Sequence, residues 1–517
     1  MPACGSPHAM EQCMWNQDKK ITRLASLTAH AGVCLMSVET VAVLVVSLLD
    51  LICILTVIFV ERKSPSSTIA WVLVLILLPI GGFVAYLLFG SGFHITKRKA
   101  YVMKSAADGI YKNFISRFII VRDDGSTTAC SPVCARMVQY MTRDGGYYYT
   151  DDNAVDLYTG GEALFEAMMR DIRTATRHVH MLYYIFRNDD LGREIVALLT
   201  EKASQGVAVR VMYDSLGSLL ATGRMFEPLR EAGGEVEAFS PILATYSSHL
   251  RLNYRNHRKI TVVDGRIGYV GGMNIGVEYL GKNPKLSPWR DTHLRLRGSS
   301  VSFLQERFIL DWMYASESTL EADHLPRYFS KPEPAGTTGV QIVSSGPDTG
   351  ASAIKNGLLE MLYAARRSVY IQTPYFTPDG SFHDALSIAA LSGVDVRLMV
   401  PGLSDHLFVH SATLSYAKQL LGSGVKLYMY QGFLHAKTMV FDGEAASIGT
   451  ANIGNRSFAL NFEVNAFVYD KAFAALCERT FLDDQTHCME LTEAWFAGRS
   501  LFMRASFGVT RLFAPLI

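Results

Sequence analysis

Cysteine is scarce, with eight irregularly spaced residues in 517, which excludes a disulfide-stapled fold and points to a reducing compartment. Cys130 and Cys134 form a single C-x3-C with no second ligand pair beside it, so no structural zinc site is expected. Neither sign of charge is in excess, because 49 Lys plus Arg balance 48 Asp plus Glu. Without a general basic field to hold a polyanion, nucleic acid is not an expected partner. Only 19% of residues are charged against 49% hydrophobic, which excludes a disordered chain. No carboxylate cluster offers a site for a hard cation, and His406 and His410, four apart, lack the adjacent Glu and third ligand that zinc needs. No metal and no cofactor is therefore expected.

Long apolar runs are what the chain has instead. Residues 41–60 read VAVLVVSLLDLICILTVIFV, and residues 69–89 are again uncharged, with Pro79, Gly81 and Gly82 of a kind that membrane helices tolerate. Twenty residues of helix span about 30 Å, the thickness of a bilayer's hydrocarbon core. Only ERKSPSST separates the runs, so residues 37–92 are predicted to form a transmembrane hairpin with helices at 41–60 and 69–89. Lys19, Lys20 and Arg23 before the pair and Lys97, Arg98 and Lys99 after it outweigh Arg62 and Lys63 in the loop. Positive charge stays cytoplasmic, which predicts both termini and the body on that side of a cell membrane. Asp50, alone in the first run, would cost about 2.5–3.5 kcal/mol if charged, and is expected to be neutral or turned to the partner helix. Residues 1–36 read as a flexible extension.

Beyond the hairpin the composition becomes that of an α/β protein written twice. GEALFEAMMRDIRTATRHVHMLYYIF is an amphipathic helix entering an apolar strand, followed by a helix and the strand VAVRVMYD. NGLLEMLYAARRSVYIQTPYF and VDVRLMVP repeat the plan, with Arg210 and Arg397 in equivalent places. Helices between successive strands predict mixed, largely parallel sheets in two duplicated α/β lobes related by a pseudo-two-fold. The expected layout is a linker at 93–140, a first lobe at 141–330 and a second at 331–517, with the seam near the Pro-rich KPEPAG at 331–336.

Each lobe carries one constellation. NHRKITVVDGRIGYVGGMN holds His257, Lys259, Asp264, Gly271 and Asn274, and LHAKTMVFDGEAASIGTAN holds His435, Lys437, Asp442, Gly449 and Asn452. One H-x-K-x4-D is weak; two at corresponding points of a repeat are not. Each reads as a strand, an Asp-Gly turn and a second strand. His and Lys, two apart, share a face, while Asp264 and Asp442 have the opposite parity and are expected to hold the hairpin turn and take no part in proton transfer. Glu463 begins an alternating strand after the second motif and Asp291 holds the matching place after the first. Such a carboxylate would accept an imidazole Nδ1 proton and expose Nε2. One imidazole could attack phosphorus while its twin protonates the leaving oxygen, with Lys259, Lys437, Asn274 and Asn452 binding the phosphate.

These residues resemble the phospholipase D superfamily, whose signature is the paired H-x-K-x4-D, and more closely bacterial cardiolipin synthases. The likeness runs through residues 40–517, including RVMYDSLGS, RNHRKITVVDG, WRDTHLRLRG, IQTPYFTPD and GFLHAKTMVFDG. It implies metal-independent phosphatidyl transfer through a phosphohistidine, two phosphatidylglycerols giving cardiolipin and glycerol, with His257 as nucleophile and His435 as general acid and then base. Phosphatidylglycerol and the bilayer are the implied partners. Hydrolysis by water and transfer to serine use the same residues, and the motifs alone leave the acceptor open; a nuclease is disfavoured by the charge balance and the apolar runs.

Other features carry less chemistry. His178 and His180 flank a core strand, and the YYY at 147–149 and the Met pair in EAMMRD read as packing. The run from His249 to Lys259, with Arg251, Arg255 and Arg258, reads either as a solvated basic edge or as an attractor of anionic headgroups. The tail EAWFAGRSLFMRASFGVTRLF suits either an interfacial helix or a terminal helix docked on the body.

Overall fold

A computed structural model describes residues 38–60, 65–86, 109–110, 115–116, 131–219, 223–239, 254–316, 325–349 and 352–513. The extension at 1–36, the basic collars, Cys130, His249 and Arg251 lie outside the described residues.

The first apolar run is a helix, Val38–Leu55, that passes into a π-helical turn at Thr56–Val60. Its window Val43–Val60 is long and apolar enough to cross a membrane. The second run differs from the single helix predicted. It forms Pro65–Leu77, breaks at Leu78 and resumes as Pro79–Ala85. Pro79 lacks the amide hydrogen that an unbroken helix would use, which interrupts the helix there.

The body is built on one sheet of fifteen strands. In chain order these are β1 (Tyr149–Tyr158), β2 (His178–Tyr183), β3 (Ala208–Asp214), β4 (Glu235–Phe239), β5 (Ile260–Val263), β6 (Ile267–Gly271) and β7 (His293–Arg297), then β8 (Thr338–Ser345), β9 (Ser368–Gln372), β10 (Asp395–Pro401), β11 (Lys426–Tyr430), β12 (Thr438–Phe441), β13 (Ala445–Gly449), β14 (Glu463–Tyr469) and β15 (Cys488–Leu491). Their spatial order is β15-β11-β10-β9-β12-β13-β14-β8-β1-β7-β6-β5-β2-β3-β4. Read outward from the central β8–β1 pair, the two sides repeat each other, with β15 added at one edge.

Parallel pairing in this sheet is confined to β2–β3–β4 and β9–β10–β11, and the other neighbours are antiparallel. The largely parallel sheet expected from the helical crossovers is thus corrected. The motif hairpins and the strands that follow them occupy the middle of the sheet, and a tight turn can join only antiparallel neighbours.

Helices Gly161–Thr174 and Asp190–Ser204 bury their apolar stripes on the first half. Helix Ala353–Ala364 does so on the second half, together with Pro132–Gly145. That last helix overlaps the predicted linker at 93–140, and its Cys134, Met137, Val138 and Met141 are core residues of the second half. A third core beneath helix Val301–Ser316 draws Leu182, Ile260 and Leu294 together with Val340, Ile448 and Val464. The two halves therefore share one core. Burial of this kind contributes about 25 cal/mol per Å² of apolar surface. The tail helix Leu501–Phe513 docks on helix Leu407–Leu420, with Phe507 and Thr510 buried, while Leu501 and Phe502 stay exposed.

Candidate functional site

The two motifs sit at equivalent places. Asp264 and Gly265 form one hairpin turn with φ of 53° and 65°, Asp442 and Gly443 the other with 50° and 62°. Left-handed backbone at two successive residues is what an Asp-Gly pair accommodates. Both aspartates face away from the histidines. Asp264 accepts from the backbone N–H groups of Thr176, Arg177 and His178 at 2.8–2.9 Å. Asp442 accepts from Arg366, Arg367 and Ser368 at 2.7–2.8 Å. Each thereby pins its hairpin to the start of the neighbouring strand, β2 or β9. Burial would raise Asp264, but these donors hold it below the ordinary carboxylate range.

The histidines are held by the opposite half. His257 N–H donates to Phe462 O at 2.9 Å and its Nδ1 lies 3.0 Å from Glu463 Oε2. His435 N–H donates to Arg290 O at 2.7 Å and its Nδ1 lies 2.6 Å from Asp291 Oδ2. Short parallel pairings, Asn256 with Phe462 and Phe433–Leu434 with Trp289–Arg290, bring each histidine alongside the strand that bears the other motif's carboxylate. Glu463 is itself fixed by Thr450 Oγ1 at 2.6 Å and Asn461 Nδ2 at 3.1 Å. A Cβ on Gly272 would fall 2.0 Å from Asp291 Oδ1, so only glycine leaves room for that carboxylate.

Lys259 Nζ donates to His257 O at 2.6 Å, and Lys437 Nζ donates to His435 O. The ammonium of Lys259 lies 5.4 Å from the centre of the Tyr184 ring, which stands edge-on to His257. Each lysine is within electrostatic reach of both Glu463 and Asp291, so the two half-sites converge. Among the described residues, no group of three His, Cys, Asp or Glu side chains is arranged to hold a metal ion.

Burial governs ionisation here. It pushes His257 down to about 4 against the attraction of Glu463, with Lys259 adding to the depression. His435 is lowered by burial and by Lys437, against Asp291. Burial takes Lys259 down to about 7 and Lys437 to about 8. Glu463 and Asp291 would be raised by burial, but the facing imidazoles hold both below the ordinary range. At rest the site therefore has ionised carboxylates and neutral imidazoles whose Nδ1–H points to oxygen, leaving Nε2 as the basic atom.

Residues 168–284 and 358–485 match the family described as cardiolipin synthase, PLD-like domain, and residues 48–91 match the phospholipase D-nuclease N-terminal family. A cardiolipin synthase of Staphylococcus aureus is 43% identical over 504 residues, covering 96% of this chain and 100% of the relative. The chain belongs to the cardiolipin synthase family of phospholipase D-like proteins. The major cardiolipin synthase of Bacillus subtilis is 44% identical over 93% of this chain and 100% of its own length. Among solved structures, phosphatidylserine synthase of Haemophilus influenzae Rd KW20 shares the fold, with a TM-score of 0.56 at 14% identity, covering 74% of this chain and 97% of that one.

In this cardiolipin synthase family member the carboxylates cross, a pairing the sequence left open: Glu463 of the second half faces His257 of the first, and Asp291 faces His435. Other residues lie otherwise than the sequence suggested. Asn274 is 1% exposed, its Oδ1 accepting from Ile185 N–H at 3.0 Å and its Nδ2 donating to Tyr279 Oη at 2.6 Å, so it is engaged with protein and does not face the site as a free donor. Asn452 is partly exposed, and its buried Oδ1 has no partner among the described residues. Arg255 and Arg258 form neither a solvated edge nor a headgroup attractor, because both are buried and ion-paired. Arg255 meets Asp214 at 3.3 Å and Arg258 meets Asp311 at 2.6 Å, while Arg258 Nε donates to Glu463 O across the two halves. Tyr184, Tyr279 and Thr450 were missed by sequence reasoning, and only their position beside the motif segments could have signalled them.

Proposed function

We propose that the protein is a cardiolipin synthase, transferring a phosphatidyl group from one phosphatidylglycerol to a second. His257 Nε2 attacks the phosphodiester, forming P–N as the P–O bond to glycerol breaks, and His435 supplies the proton that the departing glycerol oxygen takes up. The primary hydroxyl of the second phosphatidylglycerol then attacks phosphorus, its proton passes to His435, the P–N bond breaks and cardiolipin leaves. Lys259 and Lys437 supply positive charge where the phosphoryl oxygens gather negative charge, so no metal enters the scheme. An arriving diester anion favours protonation of the nearby imidazole and ammonium groups.

The observation that carries this reading is the crossed pairing of each motif histidine with the other half's carboxylate, with both motif lysines in electrostatic reach of both carboxylates. Full-length similarity to cardiolipin synthases supports the acceptor. The test is incubation of full-length enzyme with phosphatidylglycerol alone in mixed micelles. Cardiolipin plus glycerol is expected, and phosphatidic acid as sole product overturns it. For the roles, His257→Ala should abolish an acid-labile, base-stable phosphoenzyme; an adduct that persists there and vanishes in His435→Ala reverses them.

Two further points belong to this reading. The apolar runs act as a two-span hairpin with the body cytoplasmic, supported by the long apolar helix and the charge flanks. A thiol placed at Ser66 should react with an impermeant reagent on intact cells, and protection there overturns that topology. The lobes are taken as 141–330 and 331–517, with helix Pro132–Gly145 belonging to the core of the second.

A further inference from the structure

The two half-sites are duplicated in their His, Lys and carboxylate, yet their surroundings differ at three equivalent positions. Two residues before the motif histidine stands Arg255 in the first motif and Phe433 in the second. Two residues before the orienting carboxylate stands Asn461 beside His257 and Trp289 beside His435. Five residues after the motif asparagine stands Ser457 in one copy and Tyr279 in the other.

All three aromatic members gather on one imidazole. The His435 ring lies 5.5 Å from Trp289, 5.8 Å from Phe433 and 6.0 Å from Tyr279, measured between centres. Trp289 joins the other two, its ring standing 4.6 Å from both Tyr279 and Phe433. Their counterparts on the His257 side are engaged in polar contacts. Arg255 pairs with Asp214, Asn461 donates to Glu463, and Ser457 Oγ accepts from Asn452 N–H at 3.2 Å. Phe433 and Tyr279 are buried, whereas Trp289 is partly exposed and so forms the outer edge of the wall.

We infer that the Trp289–Phe433–Tyr279 wall makes the His435 side the alcohol side of the reaction, admitting a glycerol hydroxyl and keeping water from the phosphoenzyme. This deepens the synthase reading and rests on His435 serving as acid and base. In that reading the leaving glycerol oxygen and the incoming lipid hydroxyl both exchange their proton with His435, so both occupy this side. Water competing there would attack the same phosphorus, break the same P–N bond, deliver its proton to His435 and release phosphatidic acid. These rings are mostly carbon and Tyr279 Oη already accepts from Asn274 Nδ2, so they hold water weakly, whereas the carbon skeleton of a glycerol headgroup can lie against them.

The experiment measures the ratio of phosphatidic acid to cardiolipin formed from phosphatidylglycerol by full-length enzyme in mixed micelles. A ratio does not change when part of the protein is merely misfolded, so a purely structural role leaves it unmoved. Trp289→Ala should raise the ratio by about tenfold or more, and Phe433→Leu should raise it in the same direction. Trp289→Phe, which keeps a ring in place, should stay within about twofold of the parent. An unchanged ratio in Trp289→Ala, with the parent enzyme making cardiolipin, overturns the wall. A parent enzyme that makes only phosphatidic acid overturns the synthase reading before any variant is compared.

Discussion

Each motif imidazole faces, through Nδ1, a carboxylate on the other half of the chain. Removing Glu463's charge as Glu463→Gln lets an amide face His257 Nδ1 and no longer favours Nδ1–H, so activity should fall by about 10²- to 10⁴-fold with little change in stability. Asp291→Asn should act in the same way on His435. Turnover of phosphatidylglycerol together with the thermal midpoint checks both. The lysines set the alkaline side of the pH profile. With Lys259 lowered to about 7 and Lys437 to about 8, both ammonium groups are charged below those values and lose charge above them. The value of kcat/KM should therefore decline as pH rises through this window, read from initial rates between about pH 6 and 9. A profile flat to pH 9 would show that the lysine charge is not required in the free enzyme.

At the scale of the hairpins, the aspartates of the two motifs hold strands together and stand apart from the reacting atoms. Asp442 combines left-handed backbone with three backbone N–H donors on its carboxylate. Asp442→Ala removes the acceptor and leaves a methyl group at positive φ, which should destabilise by about 2–4 kcal/mol. The folded fraction should keep its turnover number. Denaturant titration in detergent combined with active-site labelling separates those effects; a loss of turnover at unchanged stability would place Asp442 in the chemistry instead.

Across the whole molecule the halves are locked by buried charge as well as by the shared core. Asp311 binds Arg258 at 2.6 Å and Arg307 at 2.8 Å, and Arg307 binds Asp348 at 3.0 Å. Asp311→Ala takes the close carboxylate from buried Arg258 and leaves Arg307 with Asp348 alone, and should cost about 3–5 kcal/mol, seen as a lowered thermal midpoint. Buried histidines add a pH dependence. Burial holds His178 at about 4, His257 at about 4 and His293 at about 3, below the unfolded value of about 6.5. The unfolded chain then binds more protons between those limits, so stability is full near neutrality and falls as pH drops from about 6.5 towards about 4. Carboxylates held low by their partners, such as Asp264 and Asp291, withdraw stability only at still lower pH. Thermal midpoints across that range check the order.

Local pattern was enough to determine much of this protein. Residue parity turned Asp264 away from His257, although the strands begin only after Lys259 and Lys437, the Asp-Gly pairs marked both hairpins, and the repeat announced two corresponding motifs, because each of these depends on residues a few positions apart. Tertiary structure alone decided which carboxylate serves which histidine, since Glu463 and His257 lie 206 residues apart and meet only where the two halves pair. It also decided that Arg255 and Arg258 face inward as ion pairs, that Asn274 ties down backbone, and that the sheet's middle is antiparallel. Burial and long-range pairing are properties of the folded core, and a residue's own neighbours in the chain do not carry them.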